Sequence, residues 1–199
     1  CEFFAKAVRN GLRVTPISVN VSRVTAIQKD FVSFYSSNKA KYGIPDGYLT
    51  IEFTESFSFT NMEVLSKIVL ELKKNGFRCS IDDFGSGYAG INIWQELNFD
   101  VLKLDKKFLS ENPELKRRNE ALLPNLINIS QRLQTAVLCE GVETEEQCRY
   151  LLRLGCTRVQ GFYFSKPVPP EKFYETYRIL QGKYELRFAE KKKAGEKGE

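Results

Sequence analysis

The chain has 199 residues, of which 42% are hydrophobic and 28% charged, a composition that suits one soluble domain with a sizeable core. It contains no histidine, which excludes Ser-His-Asp and Cys-His catalysis and leaves any metal ion to oxygen ligands. The net charge of +5 comes mostly from short runs of lysine and arginine, so it does not favour a nucleic-acid polymer as partner. No apolar run has the length of a membrane span and no signal-peptide pattern is present, so we expect a cytoplasmic domain.

Apolar periodicity predicts that strands and helices alternate along the chain. The predicted strands cover residues 16–21, 48–56, 77–81, 99–104, 135–138 and 158–164. The predicted helices cover residues 2–10, 26–42, 61–75, 90–97, 144–155 and 169–180, together with a long helix that starts at Pro113 and is interrupted or kinked at Pro124. The apolar face of the long helix is expected to include Leu122, Leu126, Ile129 and Leu133.

Six strand-then-helix units in succession predict a parallel sheet with right-handed crossovers, and a (β/α) barrel is the architecture that they favour. The carboxyl ends of barrel strands meet at one mouth, where active sites lie. Each predicted strand has a polar residue at or near that end: Asn20, Glu52, Asp82 with Asp83, Lys103 with Asp105, Glu140 with Glu143, and Gln160. A cap or a satisfied polar group explains any one of these residues, but six together indicate a site.

The stretch CSIDDFGSGYAG, residues 79–90, combines two adjacent carboxylates with three glycines. Asp82 and Asp83 repel each other unless a cation lies between them or one carboxyl is protonated, which favours a metal site or a raised pKa. Glycines also allow the backbone to approach a ligand closely. A solvated turn in which one of the two aspartates caps the next helix is an equally good explanation of the pair taken alone.

The chemistry of the six strand ends is that of an oxygen-ligand site for one or two divalent cations. Several carboxylates, an asparagine and a lysine without histidine suit the hydrolysis of a phosphoester, in which the lysine orients water or neutralises charge. The same residue types also serve sugar-phosphate isomerases, enolase-like lyases and glycosidases on barrels, so residue chemistry by itself leaves those classes open.

Six motifs in order carry a family resemblance: ISVNVS, IEFTES, DDFGSGYAG, DVLKLDKKF, CEGVETEEQ and LGCTRVQGFYFSKPVP. They resemble the successive motifs of the EAL domain, the cyclic di-GMP phosphodiesterase family of bacterial second-messenger signalling, from about Phe3 to Tyr177. The resemblance implies a modified (β/α)8 barrel of the TIM type that hydrolyses cyclic di-GMP to linear pGpG. It implies Mg²⁺ or Mn²⁺ as cofactor, two ions in all, with inhibition by Ca²⁺.

Position by position, the resemblance implies five metal ligands: Asn20, Glu52, Asp82, Asp83 and Glu140. Lys103 is similar to the lysine of the family that orients the attacking water, and Gln160 and Glu143 match residues that complete the site. Glu55 matches the glutamate that anchors the DDFGSG loop, which the family associates with metal binding and dimerisation. Asp105 is assigned to substrate binding.

The resemblance also implies features that lie outside the chain. The Glu-Ala-Leu motif of the first barrel strand, with its metal-ligating glutamate and a neighbouring substrate-binding arginine, is expected upstream of Cys1, so the N-terminal strands of the barrel are expected to be missing. We therefore expect an EAL-type domain at 1–182, incomplete at its N-terminus, a charged tail at 183–199, and a poorly soluble or inactive isolated fragment. A homodimer, an upstream GGDEF or sensory domain and a membrane anchor in the upstream region are compatible with the family.

Two functions from different classes follow. The first is a metal-dependent cyclic di-GMP phosphodiesterase, which the acids and Lys103 favour. The second is a catalytically inactive receptor for cyclic di-GMP, or an interaction scaffold, which loss of the upstream glutamate would favour. The upstream sequence is the cheapest observation that distinguishes them.

Overall fold

The computed structural model describes residues 1–11, 14–55, 62–86, 94, 96–170 and 172–173. The chain divides into two compact units, Cys1–Phe164 and Ser165–Glu199. The first unit contains all the strands and helices given below. In the second unit, the backbone N–H groups of Lys172 and Phe173 both bond to the carbonyl oxygen of Pro169. The expected domain boundary between residues 182 and 183 lies outside the described residues, as does most of the predicted helix at 90–97.

Six parallel strands form one sheet, and their order in the sheet is their order in the sequence. The strands are β1 Ile17–Val21, β2 Leu49–Thr54, β3 Arg78–Phe84, β4 Val101–Leu104, β5 Ala136–Cys139 and β6 Arg158–Val159. Sequential parallel order is what repeated strand–crossover–strand units produce. The predicted parallel α/β sheet is therefore confirmed, and all its strands end at the same edge.

The connections between strands are mostly helical. The helices are α1 Glu2–Arg9, α2 Arg23–Ala26, α3 Phe31–Lys41, α4 Met62–Lys74, α5 Pro113–Arg132 and α6 Glu145–Arg153, and a 3₁₀ turn covers Lys106–Leu109. The helix predicted over 26–42 is confirmed for Phe31–Lys41 only. A separate short helix precedes it and starts at Arg23, where the Ser22 hydroxyl accepts a hydrogen bond from Thr25 N. The predicted capping box is confirmed: Thr144 and Gln147 bond reciprocally where α6 starts. Among the described helices, none has the length and hydropathy to cross a bilayer.

The central strands have two different faces because side chains alternate along a strand. The outer face of β2, β3 and β4 is apolar and shares one core with helix residues, whereas the inner face is polar. The outer-face residues are Ile51, Phe53, Cys79, Ile81, Leu102 and Leu104, and the helix residues in the same core include Leu65, Val69, Leu72, Leu123, Ile127 and Leu151. The inner-face residues include Thr50, Glu52, Ser80 and Lys103, which line a cavity of about 530 Å³.

The long helix α5 buries a different face from the one predicted. It runs continuously through Pro124, and its buried residues are Leu123, Ile127 and Ser130. Leu122 is 53% exposed and Leu133 is 51% exposed, so the predicted apolar face points mainly to solvent. The sequence has apolar residues at helical spacing in two adjacent stripes, so periodicity alone does not tell which stripe contacts the sheet.

Candidate active site

Four charged side chains from neighbouring strands meet at the carboxyl edge of the sheet. Glu52 lies in β2, Asp82 in β3 and Lys103 in β4, and Glu140 follows β5 directly. The Lys103 Nζ atom lies 2.8 Å from Glu52 Oε2, 2.8 Å from Asp82 Oδ1 and 2.8 Å from Glu140 Oε1. One ammonium therefore joins three carboxylates, two within strands β2 and β3 and one directly after β5.

This cluster is largely shielded from solvent. Glu52 and Lys103 are each only 5% exposed, and Asp82 and Glu140 are half-buried. Burial by itself would lower the pKa of Lys103, but its hydrogen bonds to the three carboxylates outweigh burial and raise that pKa above its ordinary value. Lys103 is therefore a permanent ammonium at physiological pH.

Asp83, next to Asp82, adds a further carboxylate. Its backbone has a φ of 57°, in the left-handed region, and its N–H donates to Asp82 Oδ1 at 3.1 Å. The pKa of Asp83 is raised by burial and then by the negative charges of Asp82 and Asp105. The pKa of Glu140 is also raised, chiefly by burial, although Lys103 acts in the opposite direction. Both pKa shifts thus arise mainly from burial, and the neighbouring carboxylates add to them.

Three carboxylates of the cluster lie close enough together to bind a divalent cation. One carboxylate oxygen from each of Asp82, Asp83 and Glu140 lies within 4.8 Å of the other two. Oxygen donors of this kind suit hard cations such as Mg²⁺ and Mn²⁺. The donor chemistry thus fits the expected metal, and Asn20 lies opposite Glu52 in the register of β1 and β2, with an exposed side chain.

Glu55 stabilises the turn that follows the aspartate pair. It is 3% exposed, and its Oε2 accepts a hydrogen bond from Gly85 N at 2.9 Å. Gly85 has a φ of 89°, and a Cβ there would lie 2.5 Å from Phe108 Cε2. The sequence predicted the Glu55 anchor, but it did not identify Phe108, whose ring closes on this glycine. Gly87 and Gly90 lie outside the described residues.

Asp105 lies one residue beyond β4 and is half-buried. Its Oδ1 accepts from Lys107 N at 2.7 Å, so the carboxylate caps the 3₁₀ turn. It is also close enough to Asp83 to raise that group's pKa. Asp105 thus adds negative charge beside Asp83 and also caps the turn at Lys107.

Gln160 and Glu143 lie at the other side of the same edge, and both are exposed. The backbone N–H of Gln160 donates to Cys139 O at 2.9 Å, and its carbonyl accepts from Val142 N at 3.0 Å. A Cβ at Gly161 would lie 2.1 Å from Val142 O, so only glycine allows this close packing. The chain after β6 therefore packs directly against the segment between Glu140 and Glu143. Gly161 was the sequence feature that indicated this contact.

A family model described as EAL domain matches residues 1–167 of this chain. The chain is 32% identical over 157 residues to the signaling protein YkoW of Bacillus subtilis, a match that covers 79% of this chain and 20% of that protein. It is 34% identical over 140 residues to the cyclic di-GMP phosphodiesterase NbdA of Pseudomonas aeruginosa, covering 69% of this chain and 18% of that protein. The chain thus spans about a fifth of the length of these curated relatives.

Solved structures give the same result for the fold. The EAL domain of Mycobacterium smegmatis DcpA superposes with a TM-score of 0.80 at 31% identity, covering 87% of this chain and 78% of that one. The PaMucR phosphodiesterase in complex with c-di-GMP gives a TM-score of 0.78 at 28% identity, covering 86% and 69%. The predicted barrel-type α/β fold is confirmed by these neighbours. The matched family model, the sequence relatives and the shared fold show that this chain belongs to the EAL domain family.

Proposed function

We propose that this chain is the catalytic domain of a metal-dependent phosphodiesterase that hydrolyses cyclic di-GMP to linear pGpG. The observation that carries the proposal is the cluster in which Lys103 meets Glu52, Asp82 and Glu140 at 2.8 Å each. A buried ammonium beside carboxylates that can hold a cation is the combination that hydrolysis of a phosphoester uses. The relative NbdA is named as a cyclic di-GMP phosphodiesterase, which supports the same activity.

In this proposal Glu52, Asp82, Asp83 and Glu140 hold Mg²⁺ or Mn²⁺, and Asn20 contributes an amide oxygen from β1. The closeness of three carboxylate oxygens, all within 4.8 Å, and the absence of histidine from the whole sequence support oxygen ligation of hard cations. The number of carboxylates is sufficient for two ions. When bound, the cations supply Lewis-acid stabilisation of the charge that develops on the phosphate oxygens.

The protein's own groups would position water and substrate. The Lys103 ammonium donates hydrogen bonds at the centre of the mouth, where it orients the attacking water and stabilises negative charge on the phosphate. Water attacks phosphorus, the bond to one ribose 3′ oxygen breaks, and the product keeps a 5′ phosphate. Glu55 maintains the turn after Asp83 through its bond to Gly85, Gln160 and Glu143 would complete the site, and Asp105 would bind the substrate.

The proposed partners follow from the relatives and from one exposed surface. The chain spans about a fifth of relatives that include the oxygen sensor protein DosP of Escherichia coli at 21% of its length, so we expect sensory or GGDEF-type domains beside it in the whole protein. Leu115, Leu122 and Ile129 of α5 are 46%, 53% and 39% exposed and lie seven residues apart. Side chains seven residues apart lie on one face of a helix, and this exposed apolar face supports a homodimer through α5. Light scattering of Leu122→Glu, expected to be monomeric, tests the dimer.

The activity is tested with the full-length protein that contains this chain. Incubation with cyclic di-GMP and Mg²⁺ or Mn²⁺ should yield linear pGpG, and Ca²⁺ should suppress turnover. Asp82→Asn removes a charge from the cluster and should lower the rate of hydrolysis by a factor of about 10² or more. Asp46→Asn is the control, because it removes the same charge from a side chain that pairs with Lys39 and not with the Lys103 cluster. This variant should hydrolyse cyclic di-GMP at the normal rate. Tight binding of cyclic di-GMP without product would instead place the protein among the receptors.

A further inference from the structure

Lys103 and the proposed metal ligands use the same carboxylates. We propose that the Lys103 ammonium is a built-in counter-cation, which holds the acidic cluster together in the metal-free protein and competes with a divalent cation for Asp82 and Glu140. The inference rests on the proposed function only in taking these carboxylates as cation ligands. It adds that a divalent cation and this ammonium oppose each other.

The geometry of the cluster shows the overlap directly. Asp82 and Glu140 each contact Lys103 Nζ at 2.8 Å, and the same two side chains form the close carboxylate group with Asp83. An ammonium has three N–H donors, and three carboxylate oxygens lie at 2.8 Å from Nζ. A carboxylate that turns toward a cation therefore leaves one of these donors without its partner.

Electrostatics gives the competition its direction. A cation bound by Asp82 and Glu140 would lie near a positive charge that is only 5% exposed, and like charges repel strongly where water is excluded. Without a cation, the carboxylates repel one another, and the ammonium relieves that repulsion. Lys103 should therefore stabilise the metal-free fold and weaken the affinity for the first cation.

The direct test measures Mn²⁺ affinity, by electron paramagnetic resonance or calorimetry, without substrate. Lys103→Met keeps an unbranched side chain that is one atom shorter and removes its charge, and it should bind Mn²⁺ about tenfold more tightly than the unsubstituted protein. Lys73→Met is the matched control, because Lys73 pairs with Asp100 at 3.0 Å outside the cluster and its loss changes the net charge equally. The control should stay within about twofold of the unsubstituted protein. Equal or weaker binding by Lys103→Met would overturn the proposal.

Thermal unfolding provides a second signature. Lys103→Met should melt at a lower temperature than the unsubstituted protein without metal, since three carboxylates lose their partner. Mn²⁺ should then raise its melting temperature by more than it raises that of the unsubstituted protein. Equal increments in the two proteins would count against the competition.

If Lys103→Met does not fold, the unsubstituted protein decides. Crystal structures with and without Mn²⁺ should differ at Lys103 Nζ, which gives up at least one contact to Asp82 or Glu140 when the cation binds. Retention of all three contacts at their present distances would refute the inference. Hydrolysis is measured separately, on the unsubstituted protein. Tighter Mn²⁺ binding by Lys103→Met, together with no hydrolysis by the unsubstituted protein, leaves the inference standing and removes the proposed activity. Hydrolysis by the unsubstituted protein, together with equal or weaker Mn²⁺ binding by Lys103→Met, overturns the inference and leaves the proposed activity standing.

Discussion

The two faces of the central strands are both buried, but by different means. On the outer face, Ile51, Phe53 and Ile81 are fully buried in the helix-covered core. On the inner face, Glu52 and Lys103 are buried almost as completely, although both are charged. Burial alone therefore does not distinguish structural from functional positions in this sheet.

The difference lies in what burial costs at each face. Apolar side chains gain about 25 cal/mol for each Å² removed from water, so the outer face stabilises the fold. Buried charges lose the free energy of hydration, and ion pairs must compensate for that loss. Lys103 makes such pairs with three carboxylates. The outer face should therefore dominate stability, and the inner face should dominate chemistry. The predictions below test that division, starting with the largest effect.

Replacement of Phe53 by alanine should cost the most stability. Phe53 is fully buried, and its truncation leaves a large cavity in the outer core, so the free energy of unfolding should fall by about 3–5 kcal/mol. Urea denaturation followed by circular dichroism measures the change. Phe34→Ala is the control, because Phe34 is 61% exposed and its loss should change stability by less than about 0.5 kcal/mol. Equal losses in the two variants would contradict the assigned core.

The outer face should also make the fold sensitive to alkaline pH. Burial raises the pKa of the Cys79 thiol from its ordinary 9.0 to about 12, with a smaller contribution from Asp100. The folded protein thus keeps a proton that the unfolded chain releases, so stability is fully present below pH 9 and is lost as the pH rises through 12. At pH 10 the loss from Cys79 should be about 1.4 kcal/mol relative to pH 8.

Comparison of denaturation at pH 8 and pH 10 for Cys79→Ala isolates this contribution. The pH-dependent loss should be smaller in that variant by the amount assigned to Cys79. Cys1→Ala removes an exposed thiol and should leave the pH dependence unchanged. The same pH dependence in Cys79→Ala as in the unsubstituted protein would show that this thiol does not remain protonated in the fold.

The inner face contains one buried polar atom that is poorly satisfied. Ser80 is 1% exposed, and its hydroxyl oxygen has no hydrogen-bond partner among the described residues. Ser80→Ala removes a desolvated hydroxyl without leaving a partner unpaired, and should raise the free energy of unfolding by about 1 kcal/mol. Ser130→Ala is the contrasting variant, since the Ser130 hydroxyl donates to Leu126 O at 2.8 Å and its loss should lower stability. Destabilisation by Ser80→Ala would indicate that the inner cavity holds a hydrogen-bond partner for this serine.

Much of the fold was predictable because its signals are local. Alternation located the strands, and Thr144 with Gln147 identified the start of α6. The apolar face of α5 was predicted wrongly, since Leu122 and Leu123 are adjacent and each begins a stripe of helical spacing. Which stripe is buried depends on how the helix lies on the sheet, and no short segment contains that information.

The site shows the same division. Parallel strand order brings the polar strand ends to one edge, so Glu52, Asp82, Lys103 and Glu140 were predictable as neighbours once the strands were recognised. Their pairing was not predictable, because Lys103 and Glu52 are 51 residues apart in sequence and their contact requires the sheet register. The packing of the Phe108 ring against Gly85 also joins residues that are distant in sequence.

By itself, the sequence determined the secondary structure pattern, the parallel α/β class, the ordered motifs of the EAL family and the set of acids at the strand ends. These properties depend on residue type and spacing, which the chain carries directly. The tertiary structure alone decided that one buried ammonium is shared by three carboxylates, and which of those carboxylates also approach Asp83. Distances of a few ångströms between strands arise from packing and register, and so does the competition between Lys103 and a divalent cation that we propose.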